Sequence, residues 1–539
     1  MSFTVSDIPG DVVVHLIEIG GTASTVVVRR TMPAQAGASL PGTLARPDAA
    51  RSFVAPTYRY ADRAWIGEPV DVDRPNQYFA PRLVAAPDLQ TSIPVLPEST
   101  RRETSIGGIV LYNADGRLDD QGGNWSIAGQ TVSIWRGPAR SPLRAPFTAF
   151  ARVASLRAVG AAYGTTQLRI DLQGAAADLD VPISTIYDGT GGLGGYSGIV
   201  GRAKPRAFGW INNFQPQLID PATQLYQISD GEIAGISAVR DRGVPITFGG
   251  NYGTLAGLQA SSLPAGYWQS CIAVGVFRLG AVPSGMVTVD ASGVTAAATG
   301  GYTTSLAGIV RKLIEGPGGL AATRWLPGSF ATWPTGASGV VAQGGTVAGL
   351  LDALARAAAG WWGADELGRI VAGTIVDPTT QTATSTIRLL AAPPEQISIN
   401  APRWRQRVAY DVMATTQTPA DLAASVSAAD RDRYGEPARY ATALDTSVLT
   451  STPAALDPPP LPAILTTASD AQAMAANLLA LHRVRRWAWR IALGRYDDTL
   501  RLGTVVRVDA PGAGRLAGRN WLVVGSRRAS PRMELTLWG

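Results

Sequence analysis

The side chains that carry most enzyme chemistry are nearly missing from this chain of 539 residues, which holds one cysteine, two histidines and only two lysines, Lys204 and Lys312. A lone Cys271 excludes an intrachain disulfide and any thiolate metal cluster built by this chain alone. It lies in the apolar run Cys271-Ile272-Ala273-Val274-Gly275-Val276 and reads as a small buried hydrophobe. His15 stands in an alternating strand pattern and His482 near the end of a helical one, 467 positions away. A Ser-His-Asp triad, a two-histidine zinc helix or a facial metal triad therefore has almost nothing to draw on, and both histidines are read as structural. No run of about 18 uncharged apolar residues occurs, and the opening Met1-Ser2-Phe3-Thr4-Val5-Ser6-Asp7 lacks the basic start and apolar stretch of a secretory leader. The expectation is a protein without stable membrane insertion that is made and assembled in the cytoplasm. Charged residues are few as well, at 16%.

What is abundant is punctuation and apolar material: 60 glycines, 37 prolines and 46% apolar residues describe a turn-rich, strand-rich globular chain. Its length calls for three to four domains. Val12 to Ile19 and Ser24 to Val28, broken by Gly20-Gly21, read as a hairpin. A proline-rich stretch follows, and strands resume at Ser105 to Tyr112 and Thr131 to Gly137. Helical spacing appears at Leu306, Ile309, Val310 and Leu313, stopped by Gly316-Pro317, and at Val347, Leu350, Leu351, Leu354, Ala355 and Ala358, followed by a hairpin. Thr418-Pro419-Ala420-Asp421 reads as a helix start. Ser469 to Gln472 has capping-box spacing ahead of the face Ala471, Met474, Ala475, Leu478, Leu479 and His482. Strands at Trp487 to Leu493, Val505 to Val508, Trp521 to Val524 and Glu534 to Trp538 close the chain. The fold class expected is mainly β (α+β), multidomain, with tube-like β-barrels at both ends and a few short helices. The expected domains are residues 1–175 (N-terminal barrel), 176–300 (irregular, β-rich), 301–395 (α+β) and 396–539 (C-terminal barrel with inserted helices).

Candidate sites are weak one by one. The cluster Gly189 to Gly195 lacks the Gly-Lys-Ser/Thr ending of a phosphate loop and reads as a flexible loop. Asn113, Asp115, Asp119 and Asp120 around Gly116 have calcium-ligand chemistry but no Glu at the twelfth position and no flanking helices, which favours a plain turn. Nothing singles out a catalytic carboxylate pair. Trp125, Trp135, Trp361, Trp362, Trp487, Trp489, Trp521 and Trp538 could stack on sugars, though core and interface roles are favoured. No catalytic residue, metal or cofactor is expected, and the chain is read as non-enzymatic. Charge is unevenly spread: residues 483–539 hold twelve arginines and four acids, a net +8 within a total of +6, so the remainder carries −2. Arg483, Arg486 and Arg490 are accordingly the candidate partner-interface residues, because guanidinium groups suit interfacial ion pairs with acidic proteins. Their reversal to Glu is expected to abolish assembly.

Several stretches then recur together: Gly201-Arg202-Ala203-Lys204-Pro205-Arg206-Ala207-Phe208-Gly209, Asn212-Asn213-Phe214-Gln215-Pro216, Tyr226-Gln227-Ile228-Ser229-Asp230-Gly231, Gly285-Met286-Val287-Thr288-Val289-Asp290, Asn113-Ala114-Asp115-Gly116-Arg117-Leu118-Asp119, Trp361 to Arg369, and the closing Glu534-Leu535-Thr536-Leu537-Trp538-Gly539. Together with Ser105-Ile106-Gly107 these stretches cover most of the chain, and in them it resembles tail hub proteins of bacteriophages and prophages of GC-rich proteobacteria, which are related in architecture to the trimeric hub of contractile-tail baseplates. The resemblance implies a homotrimeric ring at the virion's tail tip. Two barrels per subunit would make six around the ring, matching the sixfold tail tube or distal tail protein above, with tip or fibre proteins below. The tape-measure protein would occupy the lumen, and DNA would be met only in passage during ejection. The chain departs from spike-carrying relatives in having no β-helix repeat or lysozyme-like segment, so cell-wall digestion is not expected. A receptor- or glycan-binding tip protein, presenting residues 176–300, is the alternative.

Overall fold

The structure is a computed structural model and describes residues 3–6, 13–20, 57–119, 127–138, 146–295, 301–334, 336, 338–389, 393–494, 497, 499–510, 514–529 and 532–539. The chain is mainly β, built from several sheets with short helices between them. The segment Ser24 to Val28, expected to pair with Val13–Ile19, lies outside these residues.

Near the N-terminus seven strands form one sheet in the order Tyr58–Ala61, Val13–Ile19, Thr131–Pro138, Ala151–Tyr163, Gln167–Gln173, Ile109–Tyr112, Leu83–Ala85. Its two edges meet, because Tyr60 bridges Ala80, just ahead of the last strand. There Ala61 N–H donates to the Ala80 carbonyl at 2.7 Å, and Ala80 N–H donates to that of Arg59 at 3.0 Å. The sheet thus curls toward closure, the arrangement that leaves the fewest unpaired edges. Residues of Val13–Ile19 are buried on both faces. Ile17 and Ile19 join an interior with Ile109, Leu111, Val132 and Ile170, while Val14 and Leu16 pack on the aromatic cluster of Trp65, Phe79, Trp135, Phe147 and Phe150.

The C-terminal sheet runs Phe3–Ser6, Ser385–Arg388, Val505–Asp509, Asn520–Ala529, Arg532–Trp538, Arg486–Leu493, Glu395–Asn400. All four strand stretches expected at the end of the chain are present in it. Alternation places Val506, Val508, Trp521, Val523, Leu535 and Leu537 in one core and Val505, Leu522, Val524 and Trp538 in another, shared with Trp361 and Val371 of the hairpin Gly360–Ala364/Ile370–Thr374. Both faces are therefore covered. Two strands come from the start of the chain: Phe3–Ser6 pairs with Ser385–Arg388, and Leu89–Ser92 pairs with the second half of Asn520–Ala529 while Glu103–Ile106 pairs on its other side.

Between these bodies lie two five-stranded sheets spanning Pro205–Phe214 to Gly339–Gln343 and Gln217–Asp220 to Thr247–Asn251. Pro205–Phe214 and Gly339–Gln343 approach so closely at Gly209 (φ 68°) and Gly339 that a methyl on either would run into a facing backbone carbonyl. The helices Leu306–Glu315 and Val347–Ala357 bury the faces their spacing predicts, against Trp325, Phe330 and Trp362. Each is capped by a hydroxyl accepting a backbone N–H, Ser305 from Gly308 and Thr346 from Gly349. Helix Ala468–His482 also buries its expected face, but Thr467 caps it, accepting from Asp470 N–H and donating to its carboxylate. The helix expected at Thr418 does not form. Asp421 turns back to accept from both the N–H and the hydroxyl of Thr418, a local turn that competes with helix, and Ser427 instead caps Ala428–Gly435.

Candidate functional site

The three candidate arginines stand around the end of helix Ala468–His482 and the start of strand Arg486–Leu493, and their settings differ. Arg483 and Arg490 are about half exposed, with side chains at 53% and 47%, and pair at the surface with Asp445 at 3.2 Å and Glu395 at 3.0 Å. Arg486 is 3% exposed. Its guanidinium makes a fork to both Asp377 oxygens at 3.1 and 2.6 Å, donates through Nε to the Leu481 carbonyl at 3.2 Å, and lies 5.2 Å from the Trp538 ring centre. Arg486 is thus an interior residue and not part of an exposed basic face. Burial alone would raise the Asp377 carboxyl, but Arg486 and Thr379 outweigh it and hold it below the ordinary carboxylate range.

His482 packs beside this pair, its ring centre 6.3 Å from that of Trp538. Its carbonyl accepts from the Arg403 N–H at 2.8 Å, and Arg403 in turn holds Glu98 at 2.9 Å and Gln406 at 3.0 Å. Burial first, then the charges of Arg403 and Arg486, push the imidazole down to about 3, so it is neutral at pH 7. The unfolded chain takes up this proton near pH 6.5 and the folded chain only near pH 3. The stabilisation is complete above pH 6.5 and declines by about 1.4 kcal/mol per unit as pH falls below about 6. Urea midpoints between pH 7.5 and about 5 are expected to fall in the wild type and to fall less in His482→Gln, which cannot take up the proton. Equal slopes would count against this account. The second histidine, His15, is buried with Nδ1 3.2 Å from Asp62. Both therefore sit in structural surroundings.

The remaining candidates resolve into local structure. Asn113 accepts from Leu118 N–H at 2.9 Å and donates to Asp119 at 2.7 Å, while Asp115 is forked by Arg82 at 2.9 and 2.6 Å, so this segment is a turn. Asp120 lies outside the described residues. The glycine cluster is not a loose loop. Gly189 N–H donates to Gly194 O at 2.9 Å and Gly191 N–H to Gly195 O at 3.0 Å, so these amides bond one another within a folded turn. The positive φ available to glycine at 189, 191, 192 and 195 is what lets the chain close so tightly. Cys271 is fully buried with Leu225, Leu258 and Val276. Trp362, Trp521 and Trp538 are core, Trp135 and Trp361 nearly so, and Trp125 lies outside the described residues. No group of three or more His, Cys, Asp or Glu side chains is placed to hold a metal among the described residues.

Sequence reasoning missed an apolar projection beside the N-terminal sheet. In the two-stranded pair Trp65–Ile66/Tyr78–Phe79, Trp65 and Phe79 point inward while Ile66 and Tyr78 face solvent, and the connecting loop presents Val70 and Val72 at 80% and 93% exposure. The in-and-out alternation of Trp65-Ile66 and Tyr78-Phe79 was the available signal. Exposed apolar groups gathered in this way mark contact surfaces.

No family model matches the chain, and no curated protein matches it. Among solved structures it is similar to a chain of the virion of a native gene transfer agent particle, at 16% identity and a TM-score of 0.38 over 63% of this chain and 84% of that one. It is also similar to the tail protein from Neisseria meningitidis MC58, at 10% identity and a TM-score of 0.33 over 84% and 91% of the two chains. The 43 kDa tail protein of prophage MuSo2 from Shewanella oneidensis matches at 11% identity and a TM-score of 0.28, over 86% and 94%. These three solved structures are tail and virion proteins.

Proposed function

We propose that this chain is a non-enzymatic structural protein of a phage-type tail tip, a hub whose subunits associate as a trimeric ring. The observation that carries this reading is architectural. A sheet curled toward closure stands at one end of the chain and a sheet with both faces covered at the other, and strands Phe3–Ser6 and Leu89–Ser92 tie the first to the second. Two such bodies per subunit would set six around a threefold ring and hold a rigid bore for the tape-measure protein and, at ejection, DNA. Ile66, Val70, Val72 and Tyr78 supply apolar surface for the contact between subunits, and Arg483 and Arg490 supply cations for an acidic distal tail or tip protein.

Negative-stain electron microscopy with light scattering on the purified chain tests the reading. Threefold rings at three times the chain mass are the expected result, and Val70→Asp with Val72→Asp should return them to monomers. A monodisperse wild-type monomer would remove the ring. A second reading, a glycan-binding tip protein, has one observation in its favour: Tyr196, Phe248 and Tyr267 are exposed on the middle region, where aromatic faces can stack on sugars. Binding to cell-envelope glycans that is lost in Phe248→Ala with Tyr267→Ala would favour it.

A further inference from the structure

Strand Gly339–Gln343 stands at the edge of its five-stranded sheet, with Pro205–Phe214 as its one strand neighbour. Three bonds fix which way its main-chain groups point. Gly339 N–H donates away from the sheet, to Ile464 O at 3.2 Å. On the neighbouring strand, Ala207 N–H donates to Ser229 Oγ at 3.2 Å and Pro205 O accepts from Asp230 N–H at 2.6 Å, so both residues turn their backbone away from Gly339–Gln343. The register runs without a shift from Gly209/Gly339 to Pro205/Gln343, and main-chain groups alternate sides along an antiparallel pair. Val341 and Gln343, opposite Ala207 and Pro205, therefore point N–H and C=O outward, and these groups meet no partner among the described residues.

The nearest segment of the chain does not fill the place beside them. Ser338 bridges Leu465 in the antiparallel sense, and running that register on would set Pro462, which has no N–H to give, across from Val341. Instead Leu461–Pro462 pairs with Arg405–Tyr410, and Ala463 N–H turns to Ala409 O at 2.9 Å. A cleft of about 360 Å³ has both diverging segments in its walls, together with Trp210, Phe214, Val412 and Met413. It opens to solvent, since Gln343 and Val412 are exposed and Val340 and Val341 are half-buried. The strand Gly339-Val340-Val341-Ala342-Gln343 has no charge, no proline and no bulge of the kind that blunts a sheet edge. The one charged residue lining the cleft is Arg356, half-buried in the last turn of Val347–Ala357. It has no ion-pair partner among the described residues, because Asp352, one turn earlier, is taken by Arg101 at 2.7 Å and by the Trp362 indole N–H at 2.8 Å.

We propose that Gly339–Gln343 accepts an extended segment of another protein as an added strand, its main chain on Val341 and Gln343, its apolar side chains in the cleft and a carboxylate on Arg356. Strand addition of this kind takes its affinity from main-chain bonds and its selectivity from what alternate side chains meet. The edge offers one donor and one acceptor at every second residue, a rhythm that an extended peptide matches. The apolar walls favour aliphatic side chains, and a guanidinium without a counter-ion favours a planar carboxylate. The strand and the cleft belong to one subunit, so the inference stands apart from the trimeric ring.

The test is fluorescence anisotropy of the full chain with a labelled hexapeptide that alternates valines with threonines and ends in aspartate. Saturable binding is expected. Two versions of the peptide, N-methylated at its odd or at its even residues, should differ: the one whose methyls fall on the amides facing the strand should bind about tenfold or more weaker. Val341→Pro takes away an outward donor and leaves the bonds to Pro205–Phe214, so it should weaken binding about tenfold with an unchanged melting curve. Arg356→Gln should weaken it about threefold to tenfold. Should Val341→Pro fail to fold, the methylated peptides and Arg356→Gln decide. No saturable binding, full binding by both methylated peptides, or binding that neither substitution alters would overturn the proposal. Self-association of the free chain that Val341→Pro abolishes and the peptide does not compete would overturn it in favour of a second copy of this chain at the edge.

Discussion

Asp377→Ala is expected to destabilise the C-terminal sheet by about 3 kcal/mol, because it leaves the Arg486 guanidinium charged, almost wholly buried and without its counter-ion. The pair is the hub of a wider contact: Arg486 stacks near Trp538, and Trp538 Nε1 donates to Asn400 at 3.1 Å, so losing Asp377 loosens the seam between the helix end and the last strand. Part of the loss is the turn cap, since Asp377 also accepts from the N–H and hydroxyl of Thr379 at 2.9 and 2.7 Å, worth about 1 kcal/mol. The double variant Asp377→Ala with Arg486→Met separates the two. Removing both charges and filling the space with an apolar chain is expected to restore all but the cap, as replacement of buried ion pairs by apolar residues often does. Urea unfolding followed by tryptophan fluorescence measures both variants. A double variant no better than the single one would mean that the charge pair is not the source of the loss. By contrast, Arg483→Glu with Arg490→Glu touches pairs that water screens and should change stability by less than about 1 kcal/mol. That contrast matters for the tail reading. A triple reversal including Arg486 would confuse unfolding with failed assembly, whereas the double reversal at 483 and 490 tests assembly alone.

The parts of this structure that could be read from sequence are those with a local physical cause. The buried faces of helices Leu306–Glu315, Val347–Ala357 and Ala468–His482 follow from three- and four-residue spacing, and the closing strands follow from alternation around Trp521 and Leu535. Thr418 fails for the same kind of reason, since a carboxylate three residues on offered its backbone a turn before a helix could start. Pairing at a distance left no such trace. Nothing in Leu89-Gln90-Thr91-Ser92 shows that its partner is more than 400 positions away, and nothing beside Arg486 marks it as interior, because Asp377 is distant in sequence and the same Arg-rich spacing serves a solvated face. Of the candidate arginines, charge composition marked only the segment, while burial decides which of them face outward.

Thr91→Pro is expected to be the most damaging single change to function that leaves most of the chain folded. Strand Leu89–Ser92 is interior, with Glu103–Ile106 on one side and residues 525–528 of Asn520–Ala529 on the other, and the clasp continues where Ile93 N–H donates to Val524 O at 2.8 Å. Thr91 is buried, so a proline there removes a ladder donor with no water to replace its partner and sets its ring against a neighbouring strand, at a cost of about 3 kcal/mol or more. The N-terminal sheet's own ladder does not include this strand and should survive. What should be lost is the connection that holds the two terminal sheets in one orientation. Hydrogen exchange would show it as rapid exchange at Gly525 to Arg528 with protection retained at Ile109–Tyr112, and microscopy would show dispersed subunits in place of rings. Thr91→Val keeps the backbone donor and the buried volume, so it should retain both protection and assembly. If Thr91→Pro exchanged no faster at Gly525 to Arg528 than the wild type, this strand would not be what clasps the sheets together. If it exchanged faster there yet still formed rings, the ring would have to be fixed by contacts between subunits alone, and the internal clasp would have no part in setting its geometry.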